Sequence, residues 1–142
     1  MSEFGTLLGA AFRGGETLEL VGDVGAGKTT LTKAIAKGLG IHSAIQSPTF
    51  TISNRYEARD GLVLAHYDFY RLHDAGLMQN ELAEVVEDHR NVTVVEWGDI
   101  VADVLPTDRT TISIISTSET ARELTITART EDAEKMFKGI IE

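Results

Sequence analysis

Gly22-Asp23-Val24-Gly25-Ala26-Gly27-Lys28-Thr29 is the stretch on which the fold turns. Phosphate oxygens need many donors at short range, and glycines at 22, 25 and 27 let consecutive backbone N–H groups turn inward without side-chain obstruction. Lys28 then supplies a cation for the β- and γ-phosphates and Thr29 a hydroxyl for Mg²⁺, while the helix that follows points its N-terminal dipole at the anion. The flanks agree. Thr17 to Val21 is a short apolar-rich run leading into Gly22, and Thr29 to Leu39 has helical character, with Gly38 and Gly40 near its end.

Further out, Phe4, Leu7, Leu8, Ala11 and Phe12 follow helical spacing behind Ser2 as an N-cap, and Gly14-Gly15 ends that helix. Thr51 to Tyr56 and Leu62 to Tyr67 flank the turn Ala58-Arg59-Asp60-Gly61, which predicts an antiparallel hairpin. Asn80 to Asp88 reads as an acidic helix. Val92 to Val95 is the β-branched run of a strand buried on both faces, ending at Glu96. A short helical stretch and the Leu105-Pro106 break follow. Thr110 to Ile115 and Leu124 to Thr127 read as strands joined through polar residues 116–121, and Glu131 to Ile141 as a closing helix. The pattern predicts an α/β fold: one P-loop NTPase-like domain over residues 1–142, with a mixed, mainly parallel central sheet flanked by helices.

Composition narrows the chemistry. The 142 residues carry a formal charge of −9, which opposes direct binding to a nucleic-acid backbone; any nucleic acid would be held by a partner. With no cysteine, disulfides, thiolate metal sites and cysteine nucleophiles are excluded. The N-terminus lacks a basic region followed by an apolar stretch, and no run is long enough to cross a bilayer, so the expected setting is the cytoplasm.

A magnesium–nucleotide site wants a carboxylate at the carboxyl end of a neighbouring strand. Glu96 and Asp68 both stand at such ends, and either suits orienting water or holding the metal through its hydration shell. The four histidines, His42, His66, His73 and His89, show no metal-ligand spacing, although His66 has a suggestive neighbourhood. Trp97 suits either core packing or stacking on a base. Neither the Asp-x-x-Gly switch nor the Asn-Lys-x-Asp base reader of Ras-type GTPases accompanies the loop. Lys and Arg total 13 and are spread along the chain, without the arginine cluster of a small-molecule kinase.

Four separated blocks resemble the TsaE family, also called YjeE, the small ATPases of bacterial tRNA threonylcarbamoyladenosine synthesis. They are Gly22 to Thr30, Ser47-Pro48-Thr49-Phe50-Thr51, His66-Tyr67-Asp68-Phe69-Tyr70-Arg71-Leu72, and Val95-Glu96-Trp97. Their order and spacing hold across nearly the whole chain. One departure lies at the N-terminus, where Phe4-Gly5 stands in place of the family's usual threonine ahead of a Leu-Gly pair.

The resemblance implies that Gly22, Asp23, Val24, Gly25, Ala26, Gly27, Lys28, Thr29 and Thr30 bind ATP. It makes Thr29 and Glu96 Mg²⁺-side groups and Asp68 a further acid of the active centre. Thr49 would respond to the γ-phosphate, and Trp97 would lie near the nucleotide. Lys28, Asp68 and Glu96 are the residues expected to act in turnover, and TsaD and TsaB the expected partners, with tRNA reached only through them. Two other readings stand beside this one: a small-molecule kinase, and a nucleotide-gated interaction module in which hydrolysis is incidental. Arg55 and Arg71 are candidate γ-phosphate arginines.

Overall fold

The computed structural model describes residues 2–23, 25–45, 53–70, 76 and 78–141. Helices α1 (Ser2–Ala11), α2 (Lys28–Gly38), α3 (Met78–Glu87) and α4 (Glu131–Ile141) surround six strands. These are β1 (Thr17–Val21), β2 (Ser53–Glu57), β3 (Val63–Asp68), β4 (Asn91–Glu96), β5 (Thr110–Ser116) and β6 (Arg122–Thr127). They form one sheet in the order β2-β3-β4-β1-β5-β6. The inner pairs β3–β4, β4–β1 and β1–β5 run parallel, and the outer pairs β2–β3 and β5–β6 are antiparallel. The expected mixed, mainly parallel sheet is therefore present.

Side-chain alternation assigns each face. Leu18 and Leu20 of β1, Leu64 of β3, Val92 and Val94 of β4, and Ile112 and Ile114 of β5 join the core formed with α1, α2 and α4. Ala65, Tyr67 and Val95 point the other way, against Leu82 and Val85 of α3. β4 is buried at all six positions, as the run of β-branched residues implies for a strand covered on both faces. On the α3 face the Glu19 carboxylate is held by Arg109 Nε at 3.0 Å and Thr111 Oγ1 at 2.9 Å, which ties β1 to the start of β5.

Local boundaries shift for physical reasons. Ser2, expected as an N-cap, is the first residue of α1, where its carbonyl accepts the Thr6 hydroxyl at 2.9 Å. The helical stretch after Trp97 is a single 3₁₀ turn, Gly98–Val101. β6 starts at Arg122, two residues before the apolar run that signalled it, because pairing with Ser116 continues past the last core side chain. The hairpin turn forms as expected, with Asp60 and Gly61 both left-handed. The expected start of β2 at Thr51 lies outside the described residues.

α1 and α2 approach closely at glycines. A Cβ on Gly9 would fall 2.1 Å from the Ile35 carbonyl oxygen and 3.0 Å from Gly38 Cα, so the helices meet backbone to backbone. Gly9→Ala is expected to destabilise the chain by about 1–3 kcal/mol through overpacking, outweighing the ~1 kcal/mol that alanine gains in helix propensity. Thermal unfolding followed by circular dichroism checks this; a melting temperature that fails to fall by several degrees would contradict the close approach.

Candidate functional site

The site forms where β1, β3 and β4 end together. Register places Leu20 of β1 and Asp68 of β3 beside Glu96 of β4, so the carboxyl ends of three adjacent parallel strands converge. From β1 the chain enters the loop 22–27, and α2 begins at Lys28. Gly27 holds φ 117°, a left-handed backbone that only glycine adopts without strain, and this turns the chain into α2. The first α2 hydrogen bond runs from Leu31 N to Gly27 O at 2.9 Å. It leaves the N–H groups of Lys28, Thr29 and Thr30 without intrahelical acceptors, ready for an anion.

Lys28 is buried, and its ammonium donates to the Gly22 carbonyl at 2.6 Å. The same Nζ lies 3.9 Å from the centroid of the Trp97 ring, a cation–π contact worth roughly 0.5–2 kcal/mol. Burial lowers the proton affinity of Lys28, and the negative charges of Glu96, Asp68 and Asp23 partly restore it. Trp97 in turn packs against Tyr70, with ring centroids 4.9 Å apart. Its backbone is left-handed at φ 55°, a sharp corner directly after Glu96, and its indole meets the Lys28 ammonium.

The carboxylates occupy different environments. Glu96 is 3% exposed, and its Oε2 lies 2.5 Å from Nε2 of the fully buried His66. A carboxylate accepts, so this contact puts the imidazole hydrogen on Nε2. His66 Nδ1 is buried without a partner. Asp68 is half-buried and its Oδ1 accepts the Tyr70 N–H at 3.0 Å. Desolvation raises its proton affinity, with Glu96 acting in the same direction, and the Tyr70 amide, His66 and Lys28 oppose the rise.

Two acids drawn together out of water at one strand edge favour a cation between or beside them. Among the described residues no group of three or more His, Asp or Glu side chains could cage a metal. Mg²⁺ is commonly held by one or two carboxylates with substrate phosphates and water, and the donor set here fits that habit.

Of the residues expected from sequence, Lys28, Asp68, Glu96 and Trp97 come together, and the Gly22 carbonyl joins them. Asp23 is exposed, its carbonyl accepts the Ala26 N–H at 3.0 Å, and its charge acts on Lys28. Gly25 is exposed, Ala26 buried, Thr29 half-buried and Thr30 exposed. Val24, Thr49 and Arg71 lie outside the described residues. Arg55 sits on β2, where its charge acts on Tyr67 and Asp88.

Sequence reasoning did not place His66 in the site, because its contact with Glu96 depends on the β3–β4 register. The hint was period two: His66 shares a face with Asp68. A cavity of about 1140 Å³ lies elsewhere, at the amino-terminal end of the strands beside Thr17, Thr110 and Met136, and contains none of the expected site residues.

A glycine loop between the first parallel strand and its helix, with acids on the adjacent strand ends, defines a P-loop NTPase-like fold. The crystal structure of Bacillus subtilis YdiB superposes with a TM-score of 0.73 at 34% identity, over 99% of this chain and 86% of that one. The family model described as "Threonylcarbamoyl adenosine biosynthesis protein TsaE" matches residues 1–124. The chain belongs to the TsaE family. Similar proteins include the "tRNA threonylcarbamoyladenosine biosynthesis protein TsaE" of Bacillus subtilis, 43% identical over 85% of this chain and 75% of that protein. The protein of the same name from Streptomyces coelicolor is 38% identical over 89% of each.

Proposed function

We propose that the chain binds Mg²⁺–ATP at the 22–29 loop and hydrolyses it in the cytoplasm to drive or reset TsaD and TsaB in tRNA threonylcarbamoyladenosine synthesis. It would not transfer the threonylcarbamoyl group itself. One observation supports this above the others: the Lys28 ammonium is buried at the loop, flanked by the strand-end carboxylates Glu96 and Asp68, in a chain of the TsaE family.

In this reading the N–H groups of residues 25–30 receive the phosphates and Lys28 leaves the Gly22 carbonyl for the β- and γ-phosphates. Thr29 and Glu96 hold Mg²⁺, which neutralises charge developing on the phosphoryl oxygens. Asp68 and Glu96 share the work of holding water and metal. Trp97 lies along the nucleotide. The α1 segment faces α2 across a groove of about 570 Å³ lined by Ser2, Glu3, Thr6 and Thr30, next to the loop and suited to the base. Thr49 responds to the γ-phosphate, as a switch that hydrolysis resets.

An arginine aimed at the γ-phosphate adds on the order of 10³–10⁵ in rate, and neither Arg55 on β2 nor the described site supplies one. Hydrolysis by the chain alone is therefore expected to be slow and to accelerate when TsaD and TsaB are added. Phosphate release, measured with and without those proteins alongside reconstituted tRNA modification, tests the reading. Full-speed turnover by the isolated chain would contradict partner dependence, and modification that proceeds equally without this chain would contradict the pathway role. No helix among the described residues is long and apolar enough to cross a membrane.

A further inference from the structure

Arg122 opens β6 at the same end of the sheet as the loop, because β6 runs antiparallel to β5 and its first residue pairs with the last of β5, Ser116. Alternation puts Arg122 on the face of Leu124 and Ile126, which pack on the core shared with α2. Its Nε donates to the Ala26 carbonyl at 2.9 Å, across 96 positions of sequence. Its Nη1 donates to the carbonyls of Ser118 at 3.1 Å and Ala121 at 3.0 Å, in the turn that precedes β6. The guanidinium therefore bridges the phosphate loop and the β5–β6 connection.

Ala26 O and Gly27 N–H belong to one peptide group. When a loop turns its N–H groups inward, its carbonyls face outward and need donors of their own. A charged donor on the Ala26 carbonyl fixes the plane of that peptide and polarises it, strengthening the Gly27 N–H as a donor to the inner side. It also brings positive charge to the loop of a chain whose net charge is −9. Two of its nitrogens are committed to carbonyls, so Arg122 acts through the loop and not as a mobile finger on the substrate.

We infer that Arg122 is a positioning residue of the phosphate site, a clamp that holds the Ala26–Gly27 peptide in its anion-binding orientation. The inference rests on the nucleotide reading for its ligand, but the clamp itself is testable without nucleotide. Hydrogen exchange of the free chain is expected to show faster exchange across residues 25–29 in Arg122→Ala than in the parent. Mg²⁺–ATP affinity is expected to fall about 10-fold, the scale of one hydrogen bond to a charged group. KM should rise with little change in kcat. Arg122→Lys keeps the charge but not the fork, and should recover only part of the affinity.

Ser118→Ala separates the clamp from hairpin stability. It removes the hydroxyl that accepts the Thr120 and Ala121 amides and loosens the turn without touching the Ala26 carbonyl. Unchanged exchange at 25–29 in Arg122→Ala would overturn the clamp. So would a Ser118→Ala chain that reproduces both the faster exchange and the weaker affinity. If the parent binds no nucleotide while exchange still responds to Arg122→Ala, the nucleotide reading falls and the clamp on the loop stands.

Discussion

Lys28→Ala is expected to lower Mg²⁺–ATP affinity by up to about 10²-fold, the upper scale for loss of a hydrogen bond to a charged group. In the free chain this ammonium sits between the Gly22 carbonyl and the Trp97 ring. To reach phosphate it must leave the indole. Trp97 is the chain's one tryptophan, so its fluorescence reports that departure directly. ATP should change Trp97 emission in the parent and leave it nearly unchanged in Lys28→Ala at the same concentration. Equal titration curves for the two proteins would remove the loop from the binding site.

Glu96→Gln is expected to separate binding from turnover. Glutamine retains a carbonyl oxygen that accepts from His66 Nε2, so the buried contact that orients position 96 survives. The negative charge does not survive. Hydrolysis should drop by about 10²–10³-fold while nucleotide still binds, because the group is asked to act on metal and water during the reaction and not to grip the phosphates. Single-turnover phosphate release, read beside equilibrium binding, distinguishes the two effects. Retained turnover would shift the carboxylate role to Asp68.

How much of this was legible before folding depends on the distance over which each contact is made. The loop, α2 and the strand ends at Asp68 and Glu96 follow from local pattern: glycines where the chain must turn, an apolar run that stops, an acid directly after it. The meeting of Asp68 with Glu96 needed only that two parallel strands end level. His66 against Glu96 needed the register of β3 on β4, where His66 pairs with Val94. Sequence periodicity alone does not fix that register.

Arg122 was less legible still. Its strand was expected to begin at Leu124, since apolar alternation starts there, and a polar residue at a strand mouth carries no signal of the carbonyl it will meet 96 positions away. The Trp97 corner was hidden for a related reason. A non-glycine residue at φ 55° has no local sequence cue, because the surrounding packing imposes it.

The burial of Lys28 has a thermodynamic consequence for the resting protein. Folding strips water from a cation before any anion is present, and the carbonyl and indole replace only part of that hydration. An arriving phosphate therefore meets an ammonium already partly dehydrated and confined to one place. The unfavourable step belongs to the making of the protein and is not repeated in each cycle of occupancy. Part of the stability of the empty chain is given up so that binding begins with the solvent reorganisation behind it.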